Sequence, residues 1–534
     1  MNRIDIVYEM KKNVSLLLMF LFLFQALQCI AQEESVLDSI KFFRQGVYRP
    51  LFEESQNIPL ATFNPKEVIE MSTMYPTTHY LDTRAVVNVI GDRLSIKSSQ
   101  KTKTSIWFGG FNPFATYLID VASVEGEGEI GLEFSDSKRE DQFFITVAYK
   151  NENIIDVRQK ITKAGKVVQD TSIATSSQKT LEGKLIVQML GSGVTLYIQN
   201  KRTSPEPIGQ SDFSKHIDLR KKRYIRRFQS KLYSSILKGE VNVSKARSVL
   251  GTGIGLADIR AITYEDGEPL LDQNRLWYTI SIRGRALPHH IQGVFSLNPT
   301  VFDIKFEGVI LFDRNDGLLR NEIASHIFFD RKENMWRGIT TGFSAFANPE
   351  EEKQLLTVES KRDPRFGFSI MKAKPFGVAG DIEDPHILYD SKLGKWLILA
   401  SKNYNGYKAI MMESNFWNKG YKIISGPVSH NSTGTSIQKV GGVRYCFSGS
   451  DEREVFIYSY PDLREIGTLN INQPPWNEYS GTRVWPNVVE LPEGYPFKYV
   501  ALMMDRINYP GLEGPHWSYG ALYLYHGSNT GKTN

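Results

Sequence analysis

The chain has 534 residues, of which 41% are hydrophobic and 12% aromatic, and it carries a formal net charge of +5. This composition supplies large apolar cores, and so mild a charge argues against a general nucleic-acid binder. With only two cysteines in the whole sequence, a disulfide-rich scaffold is excluded.

The N-terminus has the pattern of a secretory signal. Lys11 and Lys12 precede an apolar run over residues 14–24, and small residues follow before Gln32. The run is too short to span a bilayer as a stable helix. We therefore predict a signal peptide over residues 1–31, a periplasmic or secreted mature protein, and no membrane span after cleavage.

The part of the chain before residue 250 is predicted to be an extension followed by a β-domain. Residues 32–75 show no sustained periodicity and are interpreted as an N-terminal extension packed on the surface. From residue 76 to 245, short alternating runs such as 116–121 and 184–189 are separated by glycine-rich turns. Many short strands at such spacing predict a β-sandwich, here of jelly-roll type.

The second half of the chain repeats one short pattern, a polar residue followed by Ile or Val. The repeats are Asp258-Ile259, His326-Ile327, His386-Ile387, Ser436-Ile437 and Asn487-Val488. Measured at the Ile or Val, the intervals are 68, 60, 50 and 51 residues. Short strands at this period are typical of propeller blades. The predicted fold is all-β, with a five-bladed β-propeller over residues 250–530 as the catalytic domain.

The repeated polar residues form one column in this alignment. Because side chains alternate along a strand, the five residues are expected to share one orientation, towards the central channel or its mouth. An alternative is that they are structural and only hydrate the channel.

Four carboxylates lie on or beside the same strands: Asp258, Glu322, Glu383 and Asp384. Glycoside hydrolysis usually needs one protonated carboxylic acid and one ionised carboxylate, and these four are the candidate catalytic residues. For Asp384, an alternative is that it only caps the turn before Pro385. Arginines that line the central channel would bind the carboxylate of an acidic sugar through their guanidinium groups. The candidate substrate-binding residues are His326, His386, Arg320, Arg483, Trp485 and Asn487.

No motif for a nucleotide cofactor is present, and no metal cluster is apparent, although His326 and His386 could approach each other across neighbouring blades. We therefore predict no cofactor and no metal. The one dense basic run, residues 220–223 with Arg226 and Arg227, is interpreted as a solvated loop or strand edge rather than a polyanion site.

The segment from Glu383 to Ile387, followed by Gly394-Lys395-Trp396, resembles the "DP" blade motif of five-bladed propeller glycoside hydrolases of families 43, 32 and 117. Residues 433–439 (TGTSIQK) have the spacing of their "EGPxIxK" motif, whose Glu is the general acid. Here Thr433 replaces that Glu, so the family's acid is not carried over. The run from Asn321 to Tyr525 is most similar to the pectin-trimming family 143, which acts on an acidic sugar of rhamnogalacturonan II.

The resemblance implies an exported, exo-acting glycoside hydrolase that removes a terminal, acidic sugar from a plant cell-wall polysaccharide such as a pectin side chain. Its expected partner is an oligosaccharide or polysaccharide substrate, not a nucleic acid. Two alternatives stay open: a non-catalytic propeller that binds glycan or protein, and a polysaccharide lyase on the same scaffold.

Overall fold

The computed structural model describes residues 40–65, 79–175, 179–200, 203–285, 289–344, 350–476, 485–512, 518 and 520–529. Regular structure in these ranges is almost entirely β-strand, as the sequence predicts. The helix whose full extent is described is α1 (Lys222–Arg227), and a 3₁₀ turn spans Glu54–Gln56. None of the described helices is sufficiently long and apolar to cross a membrane.

The first half of the chain contributes strand β1 and then one antiparallel sheet. The strands are β1 (Ile40–Tyr48), β2 (Ile58–Phe63), β3 (Tyr80–Leu81), β4 (Val86–Ile90), β5 (Arg93–Ser98), β6 (Thr102–Gly110), β7 (Thr116–Ser135), β8 (Gln142–Lys150), β9 (Asn153–Lys163), β10 (Lys166–Ser172), β11 (Gly183–Leu190), β12 (Gly193–Gln199), β13 (Glu206–Asp212) and β14 (Gln229–Leu250). Strands β2 to β14 form a single 13-stranded sheet.

Two long strands organise this sheet. Strands β7 and β14 pair with each other over most of their length, and β7 passes from β8 on one half to β11 on the other. Gly126 and Gly239 lie opposite each other in this pairing, both with positive φ, and a Cβ on either would meet backbone oxygen at 2.0 Å. Side chains from both halves of the sheet enter one apolar core. The predicted sandwich over residues 76–245 stays a prediction.

The second half of the chain forms a ten-stranded sheet and three four-stranded antiparallel sheets, the last of which is completed by β1. We divide these strands in chain order into five units, of which units 1 and 2 both belong to the ten-stranded sheet and are joined by parallel pairing. Unit 1 contains β15 (Gly255–Ala261), β18 (Arg275–Arg283), β19 (His290–Asn298) and β20 (Asp303–Asp313), with the short β16 (Thr263–Tyr264) and β17 (Leu271–Asp272) beside them. Unit 2 contains β21 (Ile323–Asp330), β22 (Met335–Thr341), β23 (Gln354–Ser360) and β24 (Gly367–Ala379).

The remaining units are shorter. Unit 3 contains β25 (Ile382–Asp390), β26 (Lys395–Asn403), β27 (Tyr407–Ser414) and β28 (Lys422–Ser425), and unit 4 contains β29 (Thr433–Val440), β30 (Val443–Gly449), β31 (Val455–Ser459) and β32 (Glu465–Thr468). Unit 5 contains β33 (Val488–Glu490), β34 (Tyr499–Met504) and β35 (Leu522–Asn529), with β1 as its outer strand. Strand β14 ends at Leu250, and the first strand of unit 1 begins at Gly255.

Hydrogen bonds made by β18, by first strands and by the two residues before β33 join the units into a ring. From units 1 to 5, the bonds are Thr279 Oγ1 to Ser325 O, Ile387 N to His326 Nδ1, Thr435 Oγ1 to Asp384 O, and Ser436 Oγ to Pro486 O. Asn487 Nδ2 then donates to Ile259 O and returns to unit 1. Side chains of the repeated polar positions thus connect neighbouring units.

Two strands of the predicted N-terminal extension (residues 32–75) pair with the rest of the protein. Strand β1 pairs with β35 over eight positions, from Ile40 opposite Asn529 to Tyr48 opposite Leu522. Strand β2 pairs with the end of β14 in the large sheet. The alternating pattern of these strands is weak because burial alternates only at the start of β1, and Phe63 alone is buried in β2.

Candidate functional site

Four first strands share a bulge near their beginning. In β15, β21, β25 and β29 the register slips by one residue, and the slip contains a residue in the left-handed region: Asp258 (φ 55°), Ala324 (55°), Asp384 (58°) and Gly434 (63°). For a residue other than glycine this conformation costs about 1–3 kcal/mol and persists only where the surroundings impose it. Asp258 and Asp384 therefore occupy equivalent, strained positions on two units of the ring.

This register corrects the predicted column of polar residues. Two residues after the bulge come Arg260, His326, His386 and Ser436, which therefore correspond to one another. Asp258 does not belong to this column; it lies two residues earlier, in line with Asp384. The sequence alignment was wrong in unit 1 because Ile259 resembles the Ile of the other copies, while the equivalent position is Ala261.

The Asp384 carboxyl group is the most perturbed acid of the site. Its side chain is 3% exposed, and the backbone N–H of Gly434 donates to Oδ2 at 2.7 Å. Burial raises the pKa of Asp384 to about 8, assisted by the nearby charges of Glu383 and Asp258 and opposed by Arg260. At neutral pH this carboxyl group is therefore mostly protonated and can donate a proton.

Asp258 is in a different electrostatic setting. It is also buried, but Arg283 Nη2 donates to Asp258 Oδ2 at 2.5 Å. A guanidinium at this distance stabilises an ionised carboxylate. Carboxyl groups at equivalent positions of two units thus have different surroundings: burial raises the pKa of Asp384, whereas Asp258 is bound to a guanidinium group.

Glu383 is bound to a lysine that the sequence analysis did not select. Lys353 directly precedes β23. Its Nζ is 2.7 Å from Glu383 Oε2 and 2.6 Å from Asp381 Oδ1. Burial works to lower the pKa of Lys353, but the two carboxylates outweigh it and keep that pKa above its usual value. Tyr407 completes this cluster by donating to Asp381 Oδ1 at 2.6 Å.

Glu322 and Arg320 are both bound by other side chains of the protein. Glu322 is fully buried, and both its oxygens accept hydrogen bonds from Ser344; burial raises its pKa. Arg320 is bound to Asp316 at 2.6 Å and to Glu351 at 2.8 Å. Its guanidinium nitrogens are thus already engaged by carboxylates of the chain, which the sequence alone did not reveal when Arg320 was predicted to bind substrate.

Arg260 lies at the centre of the ring and was missed by the sequence analysis. It is fully buried, donates to Asp384 O at 2.9 Å and to Gly434 O at 3.3 Å, and its guanidinium carbon is 4.6 Å from the centre of the Trp485 ring. Burial lowers its pKa to about 10. A Cβ at Gly434 would lie 2.9 Å from the Trp485 ring, so glycine allows this stacked arrangement.

The predicted histidines have structural contacts. His326 is fully buried, with Nδ1 accepting from Ile387 N at 3.0 Å and Nε2 3.2 Å from Thr263 Oγ1, and its ring stacks on that of His386 at 3.8 Å. The expected approach of the two rings is therefore observed. Burial lowers the pKa of His326 to about 3, and that of His386 well below its usual range, so both are neutral.

His386 and Asn487 line a small cavity of about 30 Å³ at the far ends of the first strands, together with Thr263, Gln438 and Glu490. The cavity is lined by His386 of the polar column and by residues that follow the column, whereas Asp258 and Asp384 come before the column in their strands. The structure thus separates Asp258 from His386 and Asn487, which the sequence analysis expected in one cavity. Trp485 lies with Arg260, and Arg483 lies outside the described residues.

Within the described ranges, no three His, Cys, Asp or Glu side chains converge in a way that could hold a metal ion.

Comparison with known proteins returns solved structures only. No family model matches the chain, and no curated protein matches it. The chain is similar to the protein in the BT0996 RGII complex, with 11% identity, a TM-score of 0.37, and coverage of 51% of this chain and 87% of that one.

Two further matches are enzymes. The GH43_1 enzyme from Xanthomonas citri has 10% identity, a TM-score of 0.34 and coverage of 49% and 86%, and the GH62 alpha-L-arabinofuranosidase catalytic domain of Coprinopsis cinerea has 10% identity, a TM-score of 0.35 and coverage of 51% and 90%.

Proposed function

We propose that the protein is an exo-acting glycoside hydrolase whose five units are the blades of a propeller, and that it removes a terminal acidic sugar from a pectin side chain. The observation that carries this proposal is the pair of carboxyl groups at equivalent bulges of two units, with Asp384 kept protonated by its burial and Asp258 bound to Arg283. The acidic sugar is proposed from the sequence resemblance, and export from the apolar run over residues 14–24.

The chemistry divides between the two aspartates. Asp384 would protonate the glycosidic oxygen as the bond to the leaving group breaks. Asp258 would either take a proton from an attacking water or attack the anomeric carbon itself. Asp384 then accepts a proton in the second step if the mechanism is retaining. The other two candidates suit this role less, since Glu383 is bound to Lys353, and both oxygens of Glu322 accept bonds from Ser344.

The test is amide substitution at each aspartate. General acid–base assistance is worth about 10²–10⁴-fold in rate, so Asp384→Asn and Asp258→Asn should each lower turnover by at least about 100-fold on a cleaved pectic oligosaccharide. The stereochemistry of the released sugar, followed by NMR, separates inversion from retention.

Asp390→Asn is the matched control, because Asp390 is a buried aspartate at the opposite end of the same strand, bound to Arg444 and Tyr460. It should retain turnover close to wild type. Near-normal turnover of both Asp384→Asn and Asp258→Asn, with intact folding, would refute the assignment.

A non-catalytic glycan-binding propeller is the second candidate, and one observation favours it. Thr433 stands at the position of the family's general acid, and its buried hydroxyl has no hydrogen-bond partner among the described residues. Calorimetric binding of an oligosaccharide that is never turned over would support this candidate instead.

A further inference from the structure

We infer that the basic surface formed by Lys221, Arg223 and Arg226 binds the anionic polymer that carries the sugar to be removed, as an extended subsite for a polyuronate chain. We call this surface the linker patch, since it lies between the large sheet and the ring. The inference rests on the proposed function, because it adds a site for the remainder of the same substrate.

The linker patch is built on a short, well-anchored helix. In α1, Tyr224 is buried and its ring packs 4.9 Å from that of Phe228, within the core of the large sheet. Arg223 and Arg226 are three residues apart and so lie on the same side of the helix. Arg223 is further held by its bond to the Tyr224 hydroxyl at 2.8 Å. The guanidinium groups are therefore exposed but positioned.

The charge of the patch is uncompensated. Two neighbouring cations are neutralised, Arg220 by Asp218 at 3.0 Å and Lys222 by Asp313 at 2.6 Å. Lys221, Arg223 and Arg226 are exposed, and in the part of the chain that the structure describes none has a carboxylate within ion-pair distance. The unpaired cations line an open cavity of about 790 Å³. Its concave shape favours the interpretation that these residues bind a chain-like ligand over the interpretation that they are a solvated strand edge.

The cavity adjoins the candidate active site. Asp316 and Glu351 line it, and both bind Arg320, whose Nη1 is 3.9 Å from Glu322 Oε1. Glu351 also lies two residues before Lys353, which holds Glu383 beside Asp384. A polymer in the cavity would thus be separated from Glu322 by the side chain of Arg320.

A polyuronate is the anion that fits these observations. Guanidinium groups bind carboxylates through two parallel hydrogen bonds, so regularly spaced sugar acids match spaced arginines. A nucleic acid is less suitable, because the described residues that line the cavity include no aromatic side chain on which a base could stack. The basic run that the sequence analysis interpreted as a solvated edge is therefore assigned a ligand.

The test is binding of an oligogalacturonate to full-length protein carrying Asp384→Asn, so that substrate is retained. Arg223→Gln/Arg226→Gln in this background should weaken binding about fivefold, because it removes two exposed ion pairs with the sugar carboxylates. Affinity should fall as salt rises, since the Debye length shortens to about 8 Å at physiological ionic strength. Arg93→Gln/Arg464→Gln, which removes the same charge from exposed positions elsewhere, is the control and should bind like the parent.

The outcomes separate the two proposals. Equal loss in the control and patch variants, or equal affinity for a carboxyl-reduced oligosaccharide, would overturn the inference. Binding of a DNA duplex or an anionic vesicle as tightly as the uronate would also overturn it, in favour of a non-specific polyanion surface. Patch-dependent uronate binding without any turnover by the wild type would retain the inference and refute the proposed hydrolase.

Discussion

At the scale of single residues, the site depends on one buried acid whose proton is held by its surroundings. Asp384 receives one backbone hydrogen bond and lies near Arg260, yet burial outweighs both and keeps the carboxyl group neutral. Arg260 directs its guanidinium to backbone carbonyls, including that of Asp384 itself, rather than to the carboxylate. The cation thus fixes the backbone of the acid without forming an ion pair that would ionise it.

The raised pKa makes a prediction about stability and pH. The unfolded chain releases the Asp384 proton near pH 4, whereas the folded protein retains it to about pH 8. Unfolding between these values therefore releases a proton, so this residue's contribution to stability is present at low pH and is lost as pH rises to about 8, at up to about 1.4 kcal/mol per pH unit. Asp384→Asn should remove this slope.

The measurement is the free energy of unfolding of wild type and Asp384→Asn at pH 5, 6.5 and 8. The advantage of the asparagine variant should grow with pH. Parallel curves for the two proteins would show that Asp384 ionises normally in the folded state, and would also remove the basis for its role as proton donor. In activity, the same pKa predicts a loss of kcat/KM above about pH 8.

At the scale of elements, the bulge is what turns a repeated strand into a site. Each bulge places a residue of positive φ before the polar column, and in two of the four first strands that residue is an aspartate. The bulge re-aims these side chains away from the stacked histidines and the small cavity. The residues of the polar column instead take part in hydrogen bonds between units.

The sequence predicts the strands whose repeat is visible in neighbouring residues. It does not predict the strand register, which depends on pairing with residues distant in the chain. The first strands of units 2 to 5 follow from the polar–apolar pattern, because that pattern reflects burial on two faces. The register of unit 1 does not, since only the pairing of Ala257 with Ser281 and of Arg260 with Thr279 reveals the bulge. Lys353 binds Glu383 and Arg283 binds Asp258 from other parts of the chain. The number of residues between the partners follows no repeated spacing that the sequence could reveal.

Strand β1 offers a prediction at this scale. Phe42 and Phe43 are adjacent, but Phe42 is 8% exposed in the core of unit 5 and Phe43 is 54% exposed. Phe42→Ala should lower the free energy of unfolding by about 3 kcal/mol, because a buried aromatic ring is lost and a cavity remains. Phe43→Ala, the matched control, should change it by no more than about 0.5 kcal/mol.

Urea unfolding followed by tryptophan fluorescence measures both changes. Equal, small effects of the two substitutions would show that β1 does not contribute to the core of unit 5. Equal, large effects would place the opposite face of the strand against the protein.

At the scale of the whole molecule, the large sheet and the ring share an apolar cluster. It joins Phe52, Tyr197, Ile254 and Tyr509, and the rings of Tyr197 and Tyr509 meet edge to face at 6.2 Å. The Tyr509 hydroxyl also donates to Pro205 O. An interface with a continuous core couples the unfolding of the two parts, whereas polar interfaces leave domains independent.

We therefore expect one calorimetric transition for the wild type. Tyr509→Ala should lower its midpoint and broaden or split it, because the shared cluster loses its central ring. Tyr404→Ala, which removes a 41% exposed tyrosine, should leave a single transition at the wild-type temperature. Two resolved transitions in the wild type itself would contradict this coupling.

The pairing of β1 with β35 also constrains how the protein is made. Residues near position 44 find their partner near position 525, so unit 5 cannot be completed until almost all of the described chain has left the ribosome. Until then the ring has an open seam, with the unpaired edge of β1 available to other strands. Contacts so distant in sequence are slow to form. The last step in completing unit 5 is therefore the docking of β35 between β34, made just before it, and β1, made long before it. The interval before that step is when the chain is most exposed to misassembly.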